Sequence, residues 1–505
     1  MPSILSNLFS RSPSPTGGRR PPRHRPRTPS LGAEHLEPRL ALAVTTGTAG
    51  FGDFGATSVA PGTSIHTATT FNIANMITAG VPTGYFASLP FQVFGPESFN
   101  TANGDSFAFS TPTFGSFQSS SITTVTNVPD SGFRDFYVVG NYTPGTFNPA
   151  PLVPNPAPAS LRISFTQSPA NTGTISVSIT MQLPPERPEF LVAADDLGCT
   201  STPRVYVINP YTGDVVSSFT VYEPGFRGGV RVAIGDLDGD PTTQEIVTAP
   251  GPGRLGEVRA FRIDSTGALV GQIPGFTTTP FAGYTRGLEI AVGDLDGDGK
   301  DDLVAAESRG QGRVSAQKST GTAFTPWKSF TAFGGSYTGG ASVAVAGTNR
   351  IVVGSGLGLK PLVKVYDVAA TPTVVSQFAP AVPTGTGGVS VTAQRFTSPS
   401  AINVMVAGGA NAKSAIGVYP TTGGAATKTY NTFASRPKAN SPVYAAAAAL
   451  TGGLVDTVFQ SQGIGGVGGI LKVNSATGAV DTGFAPQYGG KLLAGPLRIA
   501  TRAPR

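Results

Sequence analysis

The sequence contains few of the residues that usually form cross-links or take part in catalysis. Its 505 residues include one cysteine, one tryptophan and three histidines, and only 13% of them are charged. A single cysteine excludes an intramolecular disulfide, so any extra cross-link must come from another interaction. No apolar run approaches the roughly 18 residues of a membrane helix, and the alanine-rich segment 444–450 is far too short. We therefore expect no transmembrane segment.

Positive charge is concentrated at the N-terminus. Residues 1–43 carry seven arginines against two glutamates, which accounts for most of the formal net charge of +6. The remainder is nearly neutral, so a basic face for nucleic acid is not expected. Residues 10–30 are mostly proline, arginine and serine and predict a disordered leader. The segment 34–43 resembles the LE-x-R-x-L segments near the start of many large exported bacterial proteins; the alternative is an exposed helical turn that ends the leader.

Turn-forming residues recur too often for long helices. The chain has 66 glycines and 44 prolines between short runs rich in Thr, Ser, Val and Phe, a composition typical of all-β proteins. In residues 44–183, alternation such as Ile175, Val177, Ile179 and Met181 predicts strands with one buried face. We expect this module to be a β-sandwich, followed by a stiff proline-rich linker at 184–188.

The rest of the chain, 189–505, repeats itself. Segment 229–240 recurs 58 residues later as 287–298, and three further apolar strands follow each copy. Weaker copies begin at Ala341, Gly388 and Val443. Glu189–Ala194 matches a second strand without a first, whereas Leu497–Ala500 matches a first strand without a second. Four strands per unit predict a β-propeller of six blades, closed by pairing of the N- and C-terminal strands.

The pattern of strand, G-D-x-D-G-D-G and strand resembles the FG-GAP and VCBS repeats of integrin α-subunits and bacterial surface proteins. The likeness covers 189–505 and is strong in two units. Integrin-like propellers usually have seven blades, so six and seven both remain open. The resemblance implies a secreted or cell-surface bacterial protein with a structural or adhesive role. It also implies a glycan or surface-protein ligand on one propeller face, and we expect a monomer.

An acidic loop in the second strong repeat has the spacing of a calcium site. Its carboxylates occupy positions 1, 3, 5 and 9, and position 7 can offer a backbone carbonyl. Calcium prefers six to eight such oxygen ligands. The alternative is a solvated Asp-Gly turn. The predicted ligands are Asp294, Asp296, Asp298, Lys300 through its carbonyl oxygen, and Asp302.

The first strong repeat offers a second, weaker calcium candidate. Pro241 replaces the glycine at the bend, and one extra residue moves the closing acid to a glutamate. A longer side chain can still reach an ion. The predicted ligands here are Asp236, Asp238, Asp240 and Glu245, and the other repeats lack such acids.

The sequence shows no catalytic constellation. All three histidines, at positions 24, 35 and 66, precede the repeats, and no histidine follows Cys199 to activate its thiol. We therefore expect no enzymatic activity. The alternative is a calcium-supported polysaccharide hydrolase or lyase.

Overall fold

The computed structural model describes residues 47–503 except 56, 104–105, 128–131, 149–155, 169–172, 184–188, 200–201, 241–242, 265, 399, 410–414, 432–440, 451–453, 464–468 and 494. All regular elements in these residues are β-strands, which confirms the predicted all-β class. No helix in the described residues is long and apolar enough to cross a membrane. The leader 1–43, its LE-x-R-x-L-like segment and the linker 184–188 lie outside the described residues.

Two antiparallel sheets form the N-terminal part. An eight-stranded sheet has the order β5-β4-β1-β11-β10-β9-β8-β7, and a three-stranded sheet has the order β2-β3-β6. The strands are β1 Gly47–Asp53, β2 Ser58–Val59, β3 Thr70–Ile73, β4 Met76–Gly84, β5 Val93–Phe94, β6 Glu97–Asn100, β7 Ala108–Thr111, β8 Gly115–Asn127, β9 Phe133–Pro144, β10 Ala157–Ser168 and β11 Thr174–Leu183.

A single phenylalanine-rich core holds the two sheets together. Alternate residues of β11 are buried from Ile175 to Leu183, which confirms the predicted one-faced strand. Phe71 of the small sheet stacks on Phe165 of the large sheet with ring centroids 4.0 Å apart. Phe94 and Phe109, on the two edge strands of the large sheet, lie 5.3 Å apart. The large sheet is therefore curled into a nearly closed barrel, a curvature that the predicted sandwich did not include.

Residues 191–500 form six four-stranded antiparallel sheets within the described part of the chain. Their second strands are almost entirely buried, whereas the fourth strands are largely exposed. Each sheet's strands are given from the inner to the outer edge: β15 Val230–Gly235, β16 Gln244–Pro250, β17 Val258–Ile263 and β18 Leu269–Thr278; β19 Leu288–Gly293, β20 Asp302–Glu307, β21 Arg313–Ser319 and β22 Phe324–Thr331; β23 Ala341–Val345, β24 Arg350–Ser355, β25 Val363–Asp367 and β26 Thr373–Phe378; β27 Val389–Ser398, β28 Ala401–Gly408, β29 Ile416–Pro420 and β30 Lys428–Tyr430; β31 Val443–Ala448, β32 Thr457–Gln462, β33 Ile470–Asn474 and β34 Val480–Asp481; and β37 Leu497–Ala500, β12 Leu191–Asp195, β13 Arg204–Ile208 and β14 Val215–Thr220.

The sixth sheet joins the two ends of this region. Strand β37 pairs with β12, with Ala500 opposite Val192 and Leu497 opposite Asp195. The first strands contact one another in the order β15, β19, β23, β27, β31, β37 and back to β15. The predicted pairing of the terminal strands is confirmed, and it produces a propeller-like ring around a central channel. A short hairpin, β35 Gln487–Tyr488 and β36 Lys491–Leu492, precedes the closing strand.

Strand direction separates the loops of the ring into two groups. Hairpins between first and second strands lie at one end of the channel, and those between second and third strands lie at the other.

Tyr211, in the turn between β13 and β14, packs against Tyr137 and Val139 of the N-terminal part. The Arg162 guanidinium also lies over the Tyr211 ring, 5.6 Å from its centroid.

Candidate metal centre

The acidic loop of the second sheet is a coiled hairpin between β19 and β20. Its aspartates accept hydrogen bonds from the backbone of their own loop: Asp294 Oδ1 from the Gly297 amide at 2.7 Å, and Asp298 Oδ1 from the Lys300 amide at 2.9 Å. The φ angles of Gly297 and Gly299 are 81° and 88°, a region that glycine adopts without strain. The loop therefore coils, and its own backbone amides fix the positions of the carboxylates.

Three of the predicted ligands converge. Asp294, Asp296 and Asp302 each offer a carboxylate oxygen, and these three oxygens lie within 4.8 Å of one another. Asp302 is fully buried, and it accepts hydrogen bonds from the amides of Leu295 at 3.0 Å and Ser319 at 2.8 Å. This convergence brings the closing acid, eight residues after the first, beside the acids at positions 1 and 3.

Asp298, a further predicted ligand, is engaged with the side chain of Lys300, whose own predicted ligand atom is the backbone carbonyl oxygen. Lys300 Nζ lies 2.7 Å from Asp298 Oδ2, so the Asp298 carboxylate forms an ion pair at the loop surface. Asp298 does not belong to the convergent group. The structure thus places Asp298 and the Lys300 side chain at the rim of the centre.

The centre concentrates negative charge. Burial, together with the charges of Asp296 and Asp298, raises the pKa of Asp302 to about 7. Burial also raises the pKa of Asp294. Lys318 on β21 forms an ion pair with one acid of the group, since its Nζ lies 2.7 Å from Asp296 Oδ2. An all-oxygen donor set with surplus negative charge suits a hard cation such as calcium.

The loop of the first sheet, between β15 and β16, has a similar group. Carboxylate oxygens of Asp236, Asp238 and Glu245 lie within 4.8 Å of one another, and Asp240 lies outside this group. Asp236 and Glu245 are fully buried. Burial and the charge of Asp238 raise the pKa of Glu245 to about 7. Pro241, the predicted departure from the pattern, lies outside the described residues.

An arginine distinguishes the first loop from the second. Arg262 on β17 hydrogen-bonds Asp238, and its Nε donates to Glu245 Oε1 at 3.2 Å. Two of the three convergent acids therefore share one permanent, planar cation. Lys318 reaches only one acid of the second loop through a flexible chain. The second loop consequently fits a calcium ion better than the first.

Sequence reasoning missed Arg262 and Lys318. The register between second and third strands places both residues next to the acidic loops. Glu245 pairs directly with Arg262, and the pairing of Leu303 with Gln317 places Lys318 beside Asp302. Both strong repeats have a basic residue at an equivalent place in the third strand, and this shared position could have indicated a cation beside each acidic loop.

The two loops are directly joined. The Asp236 amide donates to Asp301 Oδ2 at 2.8 Å, and the Asp301 amide donates to the Asp236 carbonyl at 2.6 Å. A Cβ added at Gly235 would lie 2.5 Å from Asp301 Oδ2, so a larger residue there would displace the Asp301 carboxylate. The two loops are therefore linked by hydrogen bonds to each other's backbone.

Comparison with known proteins supports a family for one segment. The family model described as FG-GAP repeat matches residues 287–316, which contain β19, the second acidic loop and β20. A search of curated proteins found no significant match. Three similar solved structures are 13–16% identical and have TM-scores of 0.28–0.33.

These structures include a chain of a mitotic checkpoint complex, similar over 50% of this chain and 63% of that chain, with 13% identity and a TM-score of 0.30. Sqt1 from Chaetomium thermophilum is similar over 58% and 68%, with 13% identity and a TM-score of 0.33. The quinohemoprotein alcohol dehydrogenase ADHIIG from Pseudomonas putida HK5 is similar over 50% and 43%, with 16% identity and a TM-score of 0.28. The match to the mitotic checkpoint chain spans less than two thirds of that chain. The segment with direct support is thus 287–316, which is similar to an FG-GAP repeat.

Proposed function

We propose that this chain is a calcium-binding, secreted or cell-surface protein of bacterial type that binds a glycan or a surface protein on one face of a six-bladed β-propeller. One observation carries the proposal. Three carboxylates converge within 4.8 Å in the second acidic loop, inside the segment similar to an FG-GAP repeat. Repeats of this kind are associated with extracellular adhesion proteins, which supports the proposed localisation.

The proposed role of calcium is to stabilise the ring. Asp294, Asp296 and Asp302 would hold the ion, and Asp298 would join them after releasing Lys300. A dication would offset the repulsion that raises the pKa of Asp302. Because Asp302 begins β20, the ion would also fix the register of the β19–β20 hairpin. Calcium would thereby supply the cross-link that a single cysteine cannot.

Binding is favoured over catalysis by the chemistry of the described residues. Burial raises the pKa of the Cys199 thiol, which is opposite to the shift that activates a cysteine nucleophile. No histidine occurs after position 66, so the ring has no imidazole base. We therefore propose a structural or adhesive protein without enzymatic activity.

Thermal unfolding with and without calcium tests the metal assignment. A ligand at 100 times its dissociation constant stabilises a protein by about 2.7 kcal/mol per site. Wild type should melt at a higher temperature in calcium than in chelator. Asp296→Ala should lose most of this difference, and Asp238→Ala should lose less because Arg262 already bridges its loop. Asp481→Ala, at an exposed aspartate of β34, should keep the full difference.

The same shift in all four proteins would refute both loops as calcium sites. A larger loss in Asp238→Ala than in Asp296→Ala would reverse the ranking of the two loops. A separate assay tests the binding role: immobilised glycans and surface proteins are incubated with the full chain, with and without calcium. Retention without turnover supports the proposal, whereas release of sugar products would overturn it.

A further inference from the structure

The channel end opposite the acidic loops carries a ring of six side chains. The second residue of every first strand lies in this layer of the channel. The six side chains differ in size and charge. Serines on two neighbouring strands leave an opening of about 220 Å³ above the ring, hereafter called the funnel. The ring consists of Arg231, Glu289, Ser342, Ser390, Tyr444 and Arg498.

Four charged residues form a closed quartet on one side of the funnel. Arg231 Nη1 bonds Asp196 Oδ1 at 3.0 Å and its Nε lies 3.5 Å from Glu289 Oε1. Arg498 Nε bonds Asp196 Oδ2 at 3.1 Å and its Nη1 bonds Glu289 Oε2 at 2.7 Å. Each cation thus contacts both acids, and the quartet is neutral. It forms a floor without surplus charge.

Two arginines at the funnel rim lack such partners. Arg286 and Arg309 are exposed, and among the described residues neither guanidinium has a hydrogen bond or ion pair. Their backbones are nonetheless anchored. Tyr284 Oη accepts from the Arg309 amide at 3.0 Å, and the Arg286 backbone forms a β-bridge with Pro252. The rim therefore presents two solvated cations from fixed backbone positions.

The funnel has a net positive charge. Its charged lining residues are four arginines and two acids, which leaves a net charge of +2. The surplus belongs to Arg286 and Arg309, since the quartet is internally balanced. Arginine matches a carboxylate with two parallel hydrogen bonds, so this rim is complementary to an acidic group.

The rest of the lining favours a peptide over a sugar. Tyr444 is the only aromatic residue among the described residues that line the funnel, and Arg498 covers its ring at 3.8 Å. Among the described lining residues, no uncovered aromatic face is therefore available for stacking on a pyranose ring. Leu197, Leu357 and Pro442 instead provide apolar surface beside the arginines. Such a lining suits a carboxylate that is flanked by apolar side chains.

We propose that the funnel binds an acidic segment of a partner protein, with a carboxylate of that segment held by Arg286 and Arg309. The inference deepens the proposed function, on which it rests, by naming the binding face and the chemistry of the ligand. The acidic loops lie at the other end of the channel, so calcium would support the ring without contacting this ligand.

The test uses the purified full chain in calcium and three fluorescent probes: an octapeptide of alternating glutamate and leucine, its glutamine-leucine counterpart, and trigalacturonate. The acidic peptide should bind most tightly. Arg286→Gln and Arg309→Gln should each weaken its binding about tenfold, and the double variant about a hundredfold. Lys491→Gln removes the same charge from an exposed site outside the funnel and should leave binding unchanged. Because the rim arginines lack described side-chain partners, thermal unfolding should match wild type in all three single variants.

Equal binding by the double variant and wild type would overturn the proposal, as would equal binding of the two peptides. Preferential binding of trigalacturonate would overturn it in favour of an acidic glycan. If no probe binds while calcium still raises the melting temperature, the funnel assignment fails and the calcium-binding part of the proposed function stands. If the acidic peptide binds at the funnel but calcium has no effect, the calcium assignment fails and the funnel assignment stands.

Discussion

Replacing Arg498 by methionine should destabilise the ring more than any single exposed charge does. Arg498 lies on the closing strand β37 and contacts Asp196 at 3.1 Å and Glu289 at 2.7 Å. The Asp196 side chain is only 3% exposed. Methionine retains much of the apolar volume of arginine but leaves two acids facing one arginine. The perturbation therefore isolates charge from packing.

The magnitude follows from what remains after the substitution. Breaking a buried ion pair by removing one partner costs about 3–5 kcal/mol. Arg231 still contacts both acids, at 3.0 and 3.5 Å, so we expect the lower end, about 3 kcal/mol. For the residues of the ring, 191–500, the unfolding entropy is about 0.65 kcal/mol/K, so that loss lowers the melting temperature by about 5 °C.

The pH dependence of this contribution has a defined sign. Burial alone would raise the pKa of Asp196, but Arg498 and Arg231 hold it below its ordinary value. Because the pKa of Asp196 is lower in the folded than in the unfolded state, its ionised form stabilises the fold at every pH above the unfolded-state pKa of 3.8. This stabilisation is lost as pH falls through the folded-state pKa. The difference between wild type and Arg498→Met should therefore be full at neutral pH and shrink in acid.

The assay is thermal unfolding at neutral and acidic pH, with a double-mutant cycle. Arg350→Met removes a guanidinium from an exposed ion pair with Asp367 and should lower the melting temperature far less, because solvent screens this pair. Asp196→Asn combined with Arg498→Met should be less destabilising than the sum of the two single changes, because the acids no longer repel each other. Equal melting temperatures for Arg498→Met and Arg350→Met would refute this reasoning.

Two further predictions concern ring closure and pH. Deletion of residues 495–505 should lower the melting temperature sharply, because β12 loses the partner with which it pairs from Val192 to Asp195; an unchanged melting curve would contradict the closure seen here. Burial raises the pKa of Glu97 from its ordinary 4.5 to about 7, so its ionisation destabilises the fold as pH rises through this interval. Glu97→Gln should therefore melt above wild type at about pH 8 and close to it at about pH 4.5, and parallel pH profiles of the two proteins would argue against this effect of partial burial on the Glu97 carboxyl.

Much of the architecture could be predicted from local patterns. The alternation of apolar and polar residues in β11 reflects burial on one face, and the continuous apolar runs of the second strands reflect burial on both faces. Both patterns can be read within one strand, without knowledge of its neighbours. The acid spacing from Asp294 to Asp302 likewise lies within one hairpin. Even closure was predictable, since Glu189–Ala194 and Leu497–Ala500 are complementary parts of one four-stranded unit.

Contacts between distant segments were decided only by the tertiary structure. Arg262 and Lys318 reach the acidic loops from third strands, through registers that the acid motif does not encode. Arg498 meets Asp196 across 302 residues and Glu289 across 209. The curled eight-stranded sheet and the funnel also depend on how strands twist and close. Composition and periodicity determine which residues are buried, but the partner of each buried charge depends on packing between strands that the sequence separates widely.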